Sequence, residues 1–278
     1  MQVFIRSHDA TMTAASTAIS ALNTQGLGHT ERRDAWWLEP VLTLGALAVF
    51  AVYGIWAAAQ GNYYHWGPYL SPFYSPNLQA WFPALFGNLP FSPAFLVLWA
   101  PLGFRGTCYF YRRAYYRAAF ADPPACAVGE PKACGGCYTG ETKFPFVLQN
   151  MHRFFFYVAA ILAVFHWTHV AEAFQFDGGP AGTKQFGVGI GTLVLLVDAI
   201  LLSLYTFSCH SFRHLLAGKL DVFSSTPLSR FRHQAWVLQT KINAHHMFYA
   251  WTSLLAVAFA DLYVRLVAMG IITDLRLV

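Results

Sequence analysis

Apolar residues gather in long blocks along this chain. Val41 to Gln60 carries no charge. A second block begins near Ser92, runs through AFLVLWAPLGF and continues into RGTCYFYRRAYYRAAF, and three more follow after residue 145. A hydrocarbon core roughly 30 Å thick needs about 20 helical residues at 1.5 Å each. Lipid offers the backbone no hydrogen bonds, so an open sheet is excluded. The pattern predicts five transmembrane helices, over about 41–60, 92–120, 146–173, 186–216 and 242–272. Residues 1–40 form a preceding polar segment, without the basic-then-apolar pattern of a signal peptide, and 121–145 form a cysteine-containing loop. The stretch QAWFPALFGNLPF is apolar but short and broken by prolines, and is expected to be an outer loop lying in the interface.

Lys and Arg sort by membrane side. With the N-terminus inside, Lys184, Arg265 and Arg276 fall outside and the other cations of the 18 fall inside; Gly61 to Phe91 contains none. The expected fold is an all-α integral membrane bundle of five helices in the cytoplasmic membrane, N-terminus cytoplasmic and C-terminus outside.

Composition agrees. Hydrophobic residues make up 56% and charged residues 11%, against roughly 25% charged in soluble domains. The 17% aromatic content suits the belts at the two membrane surfaces. The net charge of +5 is distributed by membrane side and forms no stripe, so no nucleic-acid partner is implied.

That orientation puts Cys108, Cys126, Cys134, Cys137 and Cys209 on the inner, reducing side, where a disulfide does not persist. Depth follows from the charge marking each helix exit. Cys108 precedes Arg112 by four residues, and Cys209 precedes Arg213 by four. His152 abuts Arg153, and His245 and His246 follow Lys241 closely. A single buried histidine most often just bonds a neighbouring helix. Cys or His at one level on four helices points instead to a shared site, with Cys108, Cys126, Cys209, His152, His210 and His246 as metal-ligand candidates. A haem between two imidazoles, a Cys2His2 zinc, and a mixed-ligand [2Fe–2S] cluster with two Cys and two His all use such donors. The CGGC of Cys134 and Cys137 is a lone CxxC, read as a surface loop.

Tyr109, Gln149, Asn150, His152, Arg153 and Tyr249 place polar anchors beside Trp and Phe at the same level, which suits a flat quinone head group. Farther out, His166 lies fourteen residues from His152, roughly 21 Å along the helix and about 40° round it. Asp198 falls mid-helix, where a lone carboxylate is costly. His166 and Asp198 form a weak proton-path candidate, while His169 and Glu172 are spaced to satisfy each other.

Four blocks, GFRGTCYFYRRAYYRAAFADPPACAVGE, GETKFPFVLQNMHRFFFY, SCHSFRHLLAGK and NAHHMFYAWTSL, resemble in order the membrane-anchor subunit of bacterial succinate dehydrogenases (complex II) of the five-helix, single-subunit class. The resemblance covers roughly Trp36 to Gly270. It implies a heterotrimer, itself able to oligomerise, with flavoprotein and iron–sulfur subunits on the cytoplasmic face and electrons passing from succinate to a quinone, with menaquinone expected. The basic inner loops would be the docking surface. Better-known anchors of this shape carry two haems, with ligands on the first two helices. Here those helices contain no histidine, so two such haems cannot be built, although one haem b remains open. No GxGxxG flavin pattern occurs, so succinate oxidation is not expected on this chain. The expected cofactors are a quinone and a Rieske-type [2Fe–2S] cluster. The rival readings are a haem b anchor of another dehydrogenase and a small proton-coupled transporter.

Overall fold

The computed structural model describes residues 26–87, 89–130, 142, 144, 146–178 and 183–278. Cys134 and Cys137 lie outside the described residues. The chain divides into two compact units, one of residues up to Val49 with Tyr109–Phe146, the other of Phe50–Cys108 with Val147–Val278.

Helix α1 (Leu38–Gln60) runs from the first unit into the second. An antiparallel hairpin follows, β1 (His65–Trp66) with β2 (Tyr69–Leu70). A 3₁₀ turn at Pro72–Tyr74 leads to two short helices, α2 (Leu78–Trp81) and α3 (Pro83–Phe86), where the proline-broken stretch was expected to be a loop. Next come α4 (Phe95–Gly106), α5 (Tyr109–Phe120), α6 (His152–Glu172), the β3–β4 hairpin (Gln175–Asp177 with Lys184–Phe186), α7 (Ile190–Phe207), α8 (His210–Ala217), α9 (Pro227–Asn243) and α10 (His246–Ala268). Among the described residues, four helices are long and apolar enough to cross a membrane: Leu38–Gln60, Val147–Glu172, Ile190–Phe207 and His246–Ala268. Phe95–Gly106 is apolar but shorter. The molecule is thus an all-α membrane-associated bundle.

The first unit is tied by its N-terminal strap. Thr30 bridges Val128, with Thr30 Oγ1 donating to Ala127 O at 2.8 Å. Arg117 grips Glu130 with two bonds of 3.0 Å. Cys126 is exposed here, and its carbonyl accepts from Arg32 Nη1 at 3.1 Å.

In the second unit α10 packs along α7, α7 along α6, and α6 along α4. Glycines allow two close approaches in this unit. A Cβ on Gly103 would collide with the Phe155 ring, and one on Gly191 with the Tyr69 ring. Tyr69, Val170, Leu195, Ala199, Ala260 and Val264 form one buried cluster. Two polar ties close the far end. Asp274 accepts from Gly191 N at 2.9 Å, Tyr263 OH at 2.6 Å and Tyr69 OH at 2.7 Å, satisfying a free amide at the start of α7. Arg265, counted among the outer-side cations, is buried. Its Nε donates to Asp261 Oδ2 at 2.8 Å, and Nη1 and Nη2 donate to Asn62 O and Ala57 O. Tyr53 and Ser71 also donate to Asp261. A buried arginine is tolerated only with its donors and charge matched in this way.

Where the sequence predicts unbroken helices over 92–120, 186–216 and 242–272, the backbone interrupts each. The breaks fall at Thr107–Cys108, Ser208–Cys209 and Ala244–His245. Hydropathy reports apolar blocks and is blind to such interruptions. The local cause is the same at the first two. Thr107 Oγ1 donates to Gly103 O at 2.7 Å and Ser208 Oγ to Tyr205 O at 3.1 Å, drawing the hydroxyl into the carbonyl ladder. Carbonyls freed at the second break find side-chain donors on α9. Asn243 Nδ2 reaches Ser208 O at 2.6 Å, and Gln239 Nε2 reaches Cys209 O at 3.0 Å.

Candidate metal centre

Both sulfur donors and one imidazole stand at these breaks, and the other imidazole stands where α6 begins. Cys108 follows the end of α4, Cys209 caps α8, His152 opens α6 after a 3₁₀ turn, and His246 opens α10. Both thiols are buried, 2% and 1% exposed. His152 Nε2 lies 3.1 Å from Cys209 Sγ, and His246 Nε2 lies 3.5 Å from Cys108 Sγ.

Each imidazole is held from behind by a hydroxyl. His152 Nδ1 is 2.9 Å from Thr107 Oγ1, and His246 Nδ1 is 2.6 Å from Ser208 Oγ. Each ring is also stacked on an aromatic. His152 lies over Phe104 at 4.8 Å and 7°, and His246 over Tyr205 at 5.1 Å and 15°. A second partner on Nδ1 fixes ring orientation and raises the basicity of Nε2, as around metal-bound histidine. Arg105 adds a cation 4.5 Å from the Tyr205 ring centre while donating to Ala250 O and Ser253 Oγ.

Of the six expected ligands, four are brought together: Cys108, Cys209, His152 and His246. Cys126 lies in the other unit. His210 is largely open to solvent, its Nε2 2.8 Å from His214 Nε2 one turn on. Partial burial, with His214 and Arg213 nearby, lowers the pKa of His210. Among the described residues, no three His, Cys, Asp or Glu side chains form a ligand group for a metal ion; the four donors come as two Cys–His pairs. In number and type they fit the two-sulfur, two-nitrogen set of a mixed-ligand [2Fe–2S] cluster.

Among the expected quinone anchors, Tyr109 is exposed under Arg112 in the first unit. Gln149, Asn150 and Arg153 flank His152 in the chain, and Tyr249 is half-buried three residues after His246. In the proton-path pair, both buried, His166 Nε2 is 3.2 Å from Asp198 Oδ2. His169 Nδ1 meets Glu172 Oε2 at 2.9 Å, as the spacing predicted, and its ring packs on Trp81.

Sequence reasoning missed Thr107, Ser208, Phe104 and Tyr205. A signal was present. Each buried cysteine is preceded by a hydroxyl residue, in Thr107-Cys108 and Ser208-Cys209, and an aromatic stands four positions before each cysteine.

No curated protein sequence matches the chain. A solved structure does, the Mycobacterium smegmatis Sdh1 complex in the apo form. It is 42% identical with a TM-score of 0.76, over 90% of this chain and 94% of that one. Residues 38–270 match the family described as actinobacterial succinate dehydrogenase subunit SdhC, a span that includes both Cys–His pairs and every helix from α1 to α10, and the chain belongs to that family.

Proposed function

We propose that this chain holds a Rieske-type [2Fe–2S] cluster on Cys108, Cys209, His152 and His246, and passes electrons through it to menaquinone. The wider role is set by the family. The protein is the membrane-anchor and electron-transfer subunit of succinate:quinone oxidoreductase, multi-pass in the inner membrane, with no succinate-oxidising site of its own. The proposal adds the five-helix arrangement, N-terminus inside and C-terminus outside, and flavoprotein and iron–sulfur partners on the cytoplasmic basic loops.

One observation carries the cluster: in both pairs Nδ1 is engaged by a hydroxyl and Nε2 faces a sulfur. Two imidazoles holding a haem would turn Nε2 toward a common iron, without sulfur between. When bound, a cluster with this donor set accepts and releases one electron at a time, at a potential above that of all-cysteine clusters. The chain's own residues bind, orient and shield. Thr107 and Ser208 hold the imidazoles, and Phe104 and Tyr205 cover the ring faces. Burial of both sulfurs keeps water away. Cys126 and His210 are not required as ligands. Gln149, Asn150, Arg153 and Tyr249 stand on the same end of the helices as polar groups able to meet a quinone head.

Metal and acid-labile sulfide analysis of the purified complex tests this directly. The wild-type complex should carry about two irons and two sulfides more than a complex whose anchor bears Cys108→Ser and Cys209→Ser. A pyridine haemochrome from this chain, with no labile sulfide beyond that of the iron–sulfur subunit, would replace the cluster with haem b.

A further inference from the structure

Helix α9 has two faces of different character. At about 100° per residue, Ser229, Trp236, Gln239 and Asn243 fall within an arc of roughly 80°. This side packs inward, with Ser229 and Gln239 buried. Asn243 and Gln239 hold the carbonyls of Ser208 and Cys209. Arg232 holds carbonyls at the other end of α8, its Nε 2.6 Å from Leu216 O and its Nη2 3.1 Å from Gly218 O. Helix α9 thus braces both the break that carries Cys209 and the short helix that follows it.

The opposite face is exposed and divided lengthwise. Leu228, Phe231 and Leu238 are 66%, 66% and 61% exposed, and they share an arc of roughly 80°. Arg230, Gln234 and Lys241 are exposed too, and they share an adjoining arc of roughly 40°. Among the described residues neither Arg230 nor Lys241 forms an ion pair. A stripe of large apolar side chains is rarely left to water, and the unpaired cations beside it call for an anionic neighbour.

The chain puts this face at the end of a membrane span. Helix α9 stops at Asn243, and α10, long and apolar enough to cross a bilayer, starts at His246. Met247 and Phe248 on its first turn are exposed, as are Leu255 and Phe259 farther along. A helix at that level, apolar along one side and cationic beside it, suits the membrane interface: acyl chains take the apolar stripe and anionic head groups the cations.

We propose that the exposed face of α9 binds anionic phospholipid of the leaflet that holds the Cys–His centre. Arg230 and Lys241 meet head-group phosphates, and Leu228, Phe231 and Leu238 meet the acyl chains. Lipid bound there steadies the Ser208–Cys209 break through Asn243 and Gln239. The lipid site stands on α9 itself, whereas its effect on a metal centre rests on the cluster proposed above.

The test uses the assembled complex in nanodiscs of phosphatidylglycerol or of phosphatidylcholine. Hydrogen exchange of the α9 amides in the wild type should be slower in phosphatidylglycerol, and added salt should remove the difference. A photoactivatable phosphatidylglycerol should label the α9 peptide, and Arg230→Gln and Lys241→Gln should each cut that label by ~5-fold. Phe231→Ser with Leu238→Ser should speed α9 exchange in both lipids and leave α7 unchanged. In the two charge variants a chelator should draw iron from the complex faster. Equal α9 exchange in the two lipids would overturn the site, and α9 protection that survives delipidation in detergent would assign the face to a partner subunit instead. A lipid difference in a complex with no iron or sulfide beyond that of the iron–sulfur subunit would sink the cluster and leave the lipid site standing.

Discussion

His152 Nε2 lies 3.1 Å from Cys209 Sγ, and Thr107 Oγ1 lies 2.9 Å behind the same ring at Nδ1. The same order, hydroxyl then imidazole then sulfur, recurs through Ser208, His246 and Cys108. The two arrays are assembled crosswise. Thr107 precedes Cys108 in the chain but serves the imidazole facing Cys209, while Ser208 precedes Cys209 but serves the imidazole facing Cys108. The breaks at Thr107–Cys108 and Ser208–Cys209 therefore each contribute to both arrays, one needing the packing of α4, α6 and α7 and the other that of α4, α7 and α10.

The hydroxyls give the first prediction. Thr107→Val and Ser208→Ala keep all four ligands but remove the Nδ1 partner. Loss of such a partner typically costs 10–100-fold in metal affinity. Iron retained by the complex during chelator challenge should fall in both variants, and the midpoint potential of the centre should shift. Retention and potential equal to the wild type would mean that the hydroxyls serve only the helix breaks.

Cys126→Ser and His210→Ala provide the contrast. Cys126 is exposed in the other unit, and His210 turns to His214. Iron content and quinone turnover should match the wild type in both. A loss of iron in either would enlarge the ligand set beyond the four buried donors.

Asp261 and Arg265 predict a stability effect. Arg265→Met leaves the Asp261 carboxylate buried without its cation, and breaking a buried pair from one side costs about 3–5 kcal/mol. Thermal unfolding of the detergent-solubilised complex should drop markedly. The double variant Asp261→Asn with Arg265→Met should recover part of the loss. Equal midpoints for the single and double variants would show that the pair's charge is immaterial.

Gly191→Ala tests close packing at the start of α7. The added methyl meets the Tyr69 ring, and overpacking of this sort costs about 1–3 kcal/mol. The outcome is a lower unfolding temperature with the centre's spectrum unchanged. An unaltered midpoint would mean that the Tyr69 ring moves aside freely.

Much of this molecule is legible in the sequence because lipid constrains so strongly. The apolar blocks locate α1, α4, α6, α7 and α10, and depth near charged helix ends picks out Cys108, Cys209, His152 and His246, which the fold brings together as two Cys–His pairs. The breaks at Thr107, Ser208 and Ala244 were not legible, since a hydropathy window averages across a short interruption, and at the first two a hydroxyl bonded to the preceding turn accompanies it. The surroundings of Arg265 were not legible for a related reason. A charge count assumes that cations sit at the surface, whereas Asp261, Asn62 and Ala57 satisfy this one inside. Depth alone does not tell His210 from the buried donors; α8 starts afresh at His210, which is exposed with its Nε2 2.8 Å from His214 Nε2.

Pulsed electron paramagnetic resonance of the dithionite-reduced complex is the most direct measurement of the central claim. A cluster held by these four residues should show couplings from two imidazole nitrogens, and His152→Ala or His246→Ala should abolish that signal while the clusters of the partner subunit remain. A signal with no nitrogen coupling, or one that survives both substitutions, would contradict the assignment.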